Sequence, residues 1–447
     1  VNLMSTLRDR RDARDGLKAL SGGRSSLVAA VDLGASKIGC FIMKPDGPKR
    51  DVREIHVAGV AHVRSNGVRG GQIINMDEAA AAIAQAVERA EKMAGVNVSG
   101  VSITCAGGQL ASHRVSASVA LGSRPITDHD LFRALQLGVS QSRFPGRHAI
   151  HLLPIAWSID GAKGVRDPRN MFGRNLGLDL LVVTMSETAY QTLGHCLELV
   201  HLQLDSVVAA PFASALAALE DDEMDLGCIC IDMGGGSTSV AVFGEGSLLH
   251  VDSLTVGGGH VTADIARGLS TTTAGAERIK TLHGSAIASA NEDREMIEAP
   301  PRGDDPGAGS VIAPRSLLKG IIAPRVEETL ELVRERLKAS GAPIERGASI
   351  VLTGGASQLT GVRETAVRVF DRPVRLGRPR RAPHLADAAS GPAFCAAAGV
   401  LHRSAFGPRE AVSAKVLAAG GRMAPREPVD PDAGVLARAA GWLRDNL

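Results

Sequence analysis

Two stretches of this chain repeat one another, and the repeat restricts the fold more than any other feature. VAAVDLGASKIGCFIM at 28–43 and CICIDMGGGSTSVAVF at 228–243 share one layout. Each reads as an apolar strand with an aspartate as its last residue, a glycine-rich turn and a second apolar strand. An internal repeat of this kind predicts two related halves facing one another. A turn with little or no side chain lets backbone N–H groups converge on one spot, which suits phosphate oxygens. Gly34, Ala35, Ser36 and Lys37 supply such a turn in the first half, and Gly234, Gly235, Gly236, Ser237 and Thr238 in the second. Asp32 and Asp232 then stand where they can hold a hydrated Mg²⁺, the usual partner of a triphosphate. A single turn of this kind is also what an ordinary hairpin looks like. Two in register point to nucleotide binding.

The surrounding pattern is α/β. Strands are expected at Val28–Asp32, Ile38–Met43 and His56–His62, and a helix at Asp77–Ala94. In that helix Ala80, Ile83, Ala84, Val87, Ala90 and Ala94 recur every three to four residues, and Asp77 can cap the start. After a strand at Val101–Thr104 the texture changes. Short strands, one helix after Thr127–Asp128 and the turn signals DGAKG and RDPRN predict an inserted α+β unit over 105–180. Leu180–Met185 and Glu187–Leu199 return to the strand and helix of the main unit. Further helices are expected at Val261–Leu269, Ala274–Leu282 and Pro324–Ser340, with an exposed hairpin or loop over Asn291–Ala313.

A third glycine turn follows the strand in ASIVLTGGASQLTGV (348–362), where Gly354, Gly355 and Ser357 could accommodate a base and sugar. In AERIK, Glu277 and Lys280 share one helix face. They suit ribose hydroxyls, and they also suit a surface ion pair. SVVAAPFASALAAL (206–219) and GPAFCAAAGVL (391–401) are rich in small residues. Helices of that composition can cross closely and form a hinge, or serve as plain core.

Composition removes several classes. Charged residues make up 22% and the formal net charge is +2, with no basic run, so nothing argues for nucleic acid. The aromatic share of 3% means cores built from aliphatic residues and alanine. The six cysteines show no CxxC or metal-like spacing and read as buried free thiols of a reducing compartment. No apolar run reaches the roughly 18 residues that span a bilayer. Residues 1–26 alternate in charge and read as a solvated tail rather than a signal peptide.

Two phosphate loops, two connecting helices and an adenosine loop, in this order, resemble the actin-like ATPase superfamily over about 27–403. Within it the chain resembles the FtsA family. The segments GVRDPRNMFGRNLGLDLLVVT, IDMGGGST, AERIK, APRSLLKGIIAPRVEE and IVLTGGASQLTGV carry the likeness. The resemblance implies two actin-like domains built from duplicated ribonuclease H-like units, with an FtsA-type inserted subdomain. Residues 27–104 and 181–222, completed by part of 391–404, form the core of the first domain (1A), with the insert 1C at 105–180. Residues 223–260 and 346–404 form the core of the second (2A), and 261–345 subdomain 2B. ATP and Mg are the implied cofactors. Related ATPases place Glu or Gln in the first connecting helix to orient water, whereas here Ala210 precedes Pro211. Hydrolysis is therefore expected to be weak or absent, with ATP used to close the cleft and favour filaments.

The family also implies partners: the C-terminal tail of FtsZ, further copies of the chain meeting through 1C and 2B, other divisome membrane proteins and inner-membrane lipids. The tail is short and acidic, and Arg315, Lys319 and Arg325 could meet it, or could be ordinary solvated cations. The expected location is the cytoplasmic face of the inner membrane at the division site. After a Pro/Gly linker at 405–432, residues 433–447 place Val435, Leu436, Ala439, Trp442, Leu443 and Leu447 on one helical face. Arg438 and Arg444 lie where they could meet lipid phosphates. A helix docked on the protein's own core is the other reading. A pilus-assembly platform of the PilM type or a small-molecule kinase of the same superfamily are the alternatives in function.

Overall fold

The computed structural model describes residues 27–44, 57–288, 293–302, 310–344, 347–379 and 389–406. Two five-stranded sheets share one topology. In the first, the meander Val28–Leu33, Lys37–Met43 and Val57–Arg64 is antiparallel, and Gly100–Cys105 and then Gln203–Ala209 extend it in parallel. In the second, Cys228–Met233, Thr238–Gly244 and Ser247–Leu254 form the meander, with Ser349–Thr353 and then Val374–Leu376 added in parallel. The two related halves expected from the repeat are present, in the actin-like form that the family resemblance implies. Both leading strands run one residue past the aspartate, because Leu33 pairs with Ile38 and Met233 with Thr238.

A third sheet, in the order Ala111–Ala120, Asn175–Ser186, Arg147–Ile159 and Ala162–Val165, packs with helix Asp128–Gln141. Strand Asn175–Ser186 is continuous across the boundary expected at 180. Alternation lets it serve two cores. Leu176, Leu178, Leu180 and Val182 bury into the insert, while Leu181, Val183 and Met185 bury into the first domain.

Three expected local features differ. Helix Met76–Ala94 is capped by Asn75, whose side chain accepts from the Glu78 N–H, and not by Asp77. Asn75 holds the extended backbone a cap needs, whereas Asp77 already lies inside the first turn. The long helix begins at Arg315, not at Pro324, and takes that proline into its interior. The i–4 carbonyl that loses its donor there is Gly320's, an exposed site where water can replace it. In 206–219, the first four residues belong to strand Gln203–Ala209 and only Ala210–Ala218 is helical. The segment 291–313 holds an antiparallel pair, Met296–Ala299 with Val311–Pro314.

Helix Ala210–Ala218 is buried along its whole length and crosses helix Cys395–Phe406. A Cβ on Gly399 would lie 1.7 Å from the Ala213 carbonyl oxygen, so only glycine permits this approach. All six cysteines are buried with free thiols. Among the described residues no helix is long and apolar enough to cross a membrane. The residues proposed for membrane contact, Val435 to Leu447, lie outside the described residues.

Candidate functional site between the two glycine loops

The two hairpins bring their turns face to face. A chamber of about 170 Å³ between them is lined by Asp32, Gly34, Ala35, Ser36, Lys37, Asp232, Gly234, Gly235, Gly236, Ser237, Gly354 and Gly355. Beside it, a cavity of about 460 Å³ is lined by Glu277, Lys280, Gly355 and further residues of the second half. Ser36, Gly235 and Gly355 line both, so the two spaces adjoin. The sequence-predicted residues thus gather at one place from distant parts of the chain. Two do not line either space. Thr238 begins its strand one residue after Ser237, so alternation turns it into the sheet, where it is buried. Ser357 is buried too, its hydroxyl donating to the Gly354 carbonyl at 2.8 Å and closing the turn Gly355–Gln358.

The loops touch so closely that glycine becomes a requirement. A Cβ on Gly236 would sit 2.6 Å from the Ala35 Cβ, and one on Gly235 would collide with the Ser36 hydroxyl. Behind the second loop, Gly258 and Gly259 donate N–H groups to the carbonyls of Gly234 and Gly235 at 2.9 and 2.7 Å. These donors open helix Gly258–Gly268 and hold the loop from below. The run Gly257–Gly259 lies some twenty residues further along the chain, and nothing local ties it to the loop at 234.

Electrostatics centre on three side chains. Asp32 accepts from the Thr104 hydroxyl at 2.6 Å, and burial raises its pKa above the ordinary carboxylate value. Asp232 accepts from the Ser214 hydroxyl at 2.5 Å, and burial pushes it up to about 6. Lys37 is drawn down to about 8 by burial, against the pull of both aspartates. Two partly buried carboxylates share one lysine, so the chamber would gain from a further cation. Among the described residues no group of three or more His, Cys, Asp or Glu could cage a metal. That donor set suits Mg²⁺, which keeps several waters and takes only one or two carboxylates plus phosphate oxygens.

Helix Thr273–His283 carries Glu277 and Lys280 into the larger cavity, where they are bonded to each other at 2.7 Å. Both ion pairing and cavity lining hold for them. Thr262 joins the pair, donating to Glu277 at 2.5 Å and accepting from Lys280 at 2.8 Å. Val326, Thr329, Leu359 and Val362 supply the apolar wall. Thr104, Ser214, Thr262 and Val326 escaped sequence reasoning because each reaches the site through contacts between elements far apart in the chain, even where its own segment, as with 206–219 for Ser214, stood out. Ala210 lines the smaller chamber with no polar side chain, and the hydroxyl of its helix, Ser214, is bonded to Asp232.

Arg315, Lys319 and Arg325 stand on helix Arg315–Ser340 and line neither space, although Val326 and Thr329 of the same helix line the larger one. Arg315 pairs with Glu295 at 2.6 Å, and Arg325 with Asp264 and Glu328 at 2.6 Å each. An acidic partner there would have to compete with these carboxylates.

The chain matches a family model described as "Cell division protein FtsA" over residues 229–399 and one described as "SHS2 domain inserted in FTSA" over 107–184. It is 41% identical to the cell division protein FtsA of Agrobacterium fabrum across 96% of this chain and 97% of that relative. The FtsA of Pseudomonas aeruginosa is 31% identical across 94% and 98%. Among solved structures, a PilM–PilN type IV pilus biogenesis complex aligns at TM-score 0.58 and 17% identity, covering 86% of this chain and 99% of that one. MreB5 of Spiroplasma citri bound to ADP aligns at TM-score 0.52 and 15% identity, covering 85% and 98%. At these identities the structural likeness speaks for the fold alone. The sequence likeness, at this identity over nearly the whole length, places the chain in the FtsA family of cell division proteins.

Proposed function

We propose that this chain is an ATP-binding, polymerising adaptor that links FtsZ filaments to the inner membrane and helps assemble the other membrane proteins of the division machinery. The observation that carries the nucleotide reading is the meeting of two glycine loops and two aspartates at a chamber that adjoins a larger, partly apolar cavity. The loops would cradle phosphates with backbone N–H groups. Asp32 and Asp232 would hold Mg²⁺ through water, and the ion would neutralise the phosphates. Glu277 and Lys280 would orient the ribose, and Gly354 and Gly355 would lie against it. With Ala210 in place of an acid, the nucleotide serves to bias the two domains toward a closed, filament-forming arrangement rather than to be turned over quickly.

Attachment rests on residues 433–447. Leu436, Trp442, Leu443 and Leu447 contribute at most roughly 1.5–3 kcal/mol each on leaving water. Ordering the segment costs roughly 1–2 kcal/mol per residue before new hydrogen bonds offset it. A single copy therefore binds reversibly, and a filament presenting many copies binds firmly. Contact with the acidic FtsZ tail falls to the helix bearing Arg315, Lys319 and Arg325, and filament contacts to the insert and subdomain 2B.

The test is co-sedimentation with acidic liposomes in Mg-ATP, comparing the full chain with one ending at Asp432. Pelleting of the full chain alone, followed by recruitment of FtsZ, is the expected result. Equal behaviour of the two chains would remove the terminal segment as the anchor and the adaptor reading with it.

A further inference from the structure

Lys37 is the cation that the first loop contributes to the inner chamber, and its ammonium lies over an aromatic ring. The Nζ atom stands 2.9 Å from the centroid of Phe394. Phe394 comes from the far end of the chain, in the turn Pro392–Phe394 that precedes helix Cys395–Phe406. Its ring does not line the chamber. It is buried, stacked on Phe41 at 6.0 Å and edge-on to His62 at 5.5 Å. The ring is thus locked within the first domain. Its turn is bonded to the second domain, because the Pro392 carbonyl accepts from the Gly354 N–H and from the Thr353 hydroxyl, both at 3.2 Å.

We propose that Phe394 is a positioning residue for Lys37: its ring face holds the ammonium at the phosphate chamber through a cation–π contact, and the bonds of its turn to Thr353 and Gly354 tie that hold to the second domain. A lysine stem has four rotatable bonds, and an ammonium at a partly buried site loses hydration. A fixed ring face compensates for part of that loss and selects one direction for the stem. Burial draws Lys37 down, but Asp32 and Asp232 pull the other way and leave it at about 8, so the ammonium that faces the ring is still the main form at pH 7. The two glycine loops alone do not orient Lys37. The ring does, and its turn is bonded to the second domain.

This inference rests on the nucleotide-binding reading, and its test separates the two. Two variants are compared with the wild-type full chain: Phe394→Leu, and pentafluorophenylalanine in place of Phe394, which keeps the ring's shape but reverses its quadrupole. Mg-ATP affinity is read by calorimetry, and the rate of Lys37 acylation by an amine-reactive reagent is read by mass spectrometry without nucleotide. The expected result is affinity weakened about threefold to tenfold in both variants. Lys37 should also acylate faster in both. In a Lys37→Met background the same changes at Phe394 should alter affinity by less than about twofold, because the two residues act through one contact. A fluorinated ring that leaves both affinity and Lys37 reactivity unchanged overturns the proposal, as does a full-size effect that persists in the Lys37→Met background. If the wild-type chain binds no ATP, the nucleotide reading falls. The acylation rates then decide alone whether the ring holds the ammonium.

Discussion

Asp32 and Asp232 occupy equivalent places in two sheets of one topology, yet their surroundings have diverged. In the first sheet the parallel neighbour strand ends at Thr104–Cys105, and the Thr104 hydroxyl donates to Asp32. In the second sheet the matching neighbour of Asp232 is Thr353. Its hydroxyl turns away to the carbonyls of Gly377 and Pro392, and Asp232 receives Ser214 instead. The loops diverge in the same sense. The first keeps side chains at Ala35, Ser36 and Lys37, whereas the second is glycine at 234–236. The first half supplies charge and hydroxyls, and the second supplies space. The glycines at 235 and 236 are demanded by the first loop's side chains as much as by any phosphate, since Ser36 and Ala35 already fill the volume a Cβ would need.

The largest effect should come from filling the space that the second half leaves open. Gly354 has φ +83°, and a Cβ there would lie 2.3 Å from the Asp232 Oδ1 and 2.5 Å from the Met233 carbonyl. Gly354→Ala should cost about 3 kcal/mol or more, through backbone strain and collision together. Thermal unfolding measures it, and a variant as stable as wild type would show that the second aspartate is not confined as described.

A smaller effect, of opposite sign, should follow from removing the charge. The folded state holds the Asp232 proton up to about pH 6, against an ordinary value of 3.8. The native state therefore binds more protons in that window, and its stability falls as pH rises through it. In metal-free buffer at neutral pH, Asp232→Asn should be more stable than wild type by about 1–3 kcal/mol. The gain should vanish below pH 4, and Mg-dependent nucleotide binding should be lost. Denaturant melts at pH 4 and pH 7.5 read the difference, and equal stability of the two proteins at both pH values would refute the assignment.

The smallest effect sharpens the fit between the loops. Gly236→Ala should weaken Mg-ATP binding by about tenfold, an overpacking cost of roughly 1–2 kcal/mol. Adding Ala35→Gly should restore most of it, since that change removes the methyl group the new one meets. Binding titrations of the single and double variants decide. An unrescued double variant would mean that the Gly70 backbone, 3.0 Å from the same Cβ position, and not Ala35 sets the limit at Gly236.

Much of the fold could be read along the chain because its cause is local. Strand alternation, the aspartate before each glycine turn and the helical spacing of Ala80, Ile83 and Val87 all act within a few residues. The exceptions turn on backbone conformation and packing that pattern reading could not weigh. Asp77 and Asn75 are both capping types, and only backbone conformation chose between them. Pro324 reads as a helix start, but packing of Leu318 and Ile322 on one side and Val326 and Leu330 on the other carries the helix through it. Strand Asn175–Ser186 hid the boundary of the insert because its two faces serve two cores.

The residues of the site divide in the same way. The sequence by itself determined the two hairpins, their aspartates and the glycine turns, because each of these is a short-range pattern with one backbone solution. Only the tertiary structure decided that Thr104 and Ser214 would hold the two aspartates, that Gly258 and Gly259 would carry the second loop, and that Phe394 would lie beneath Lys37. Those contacts join elements far apart in the chain. Their geometry is set by how two sheets and a pair of crossing helices pack, and no spacing along the chain encodes that.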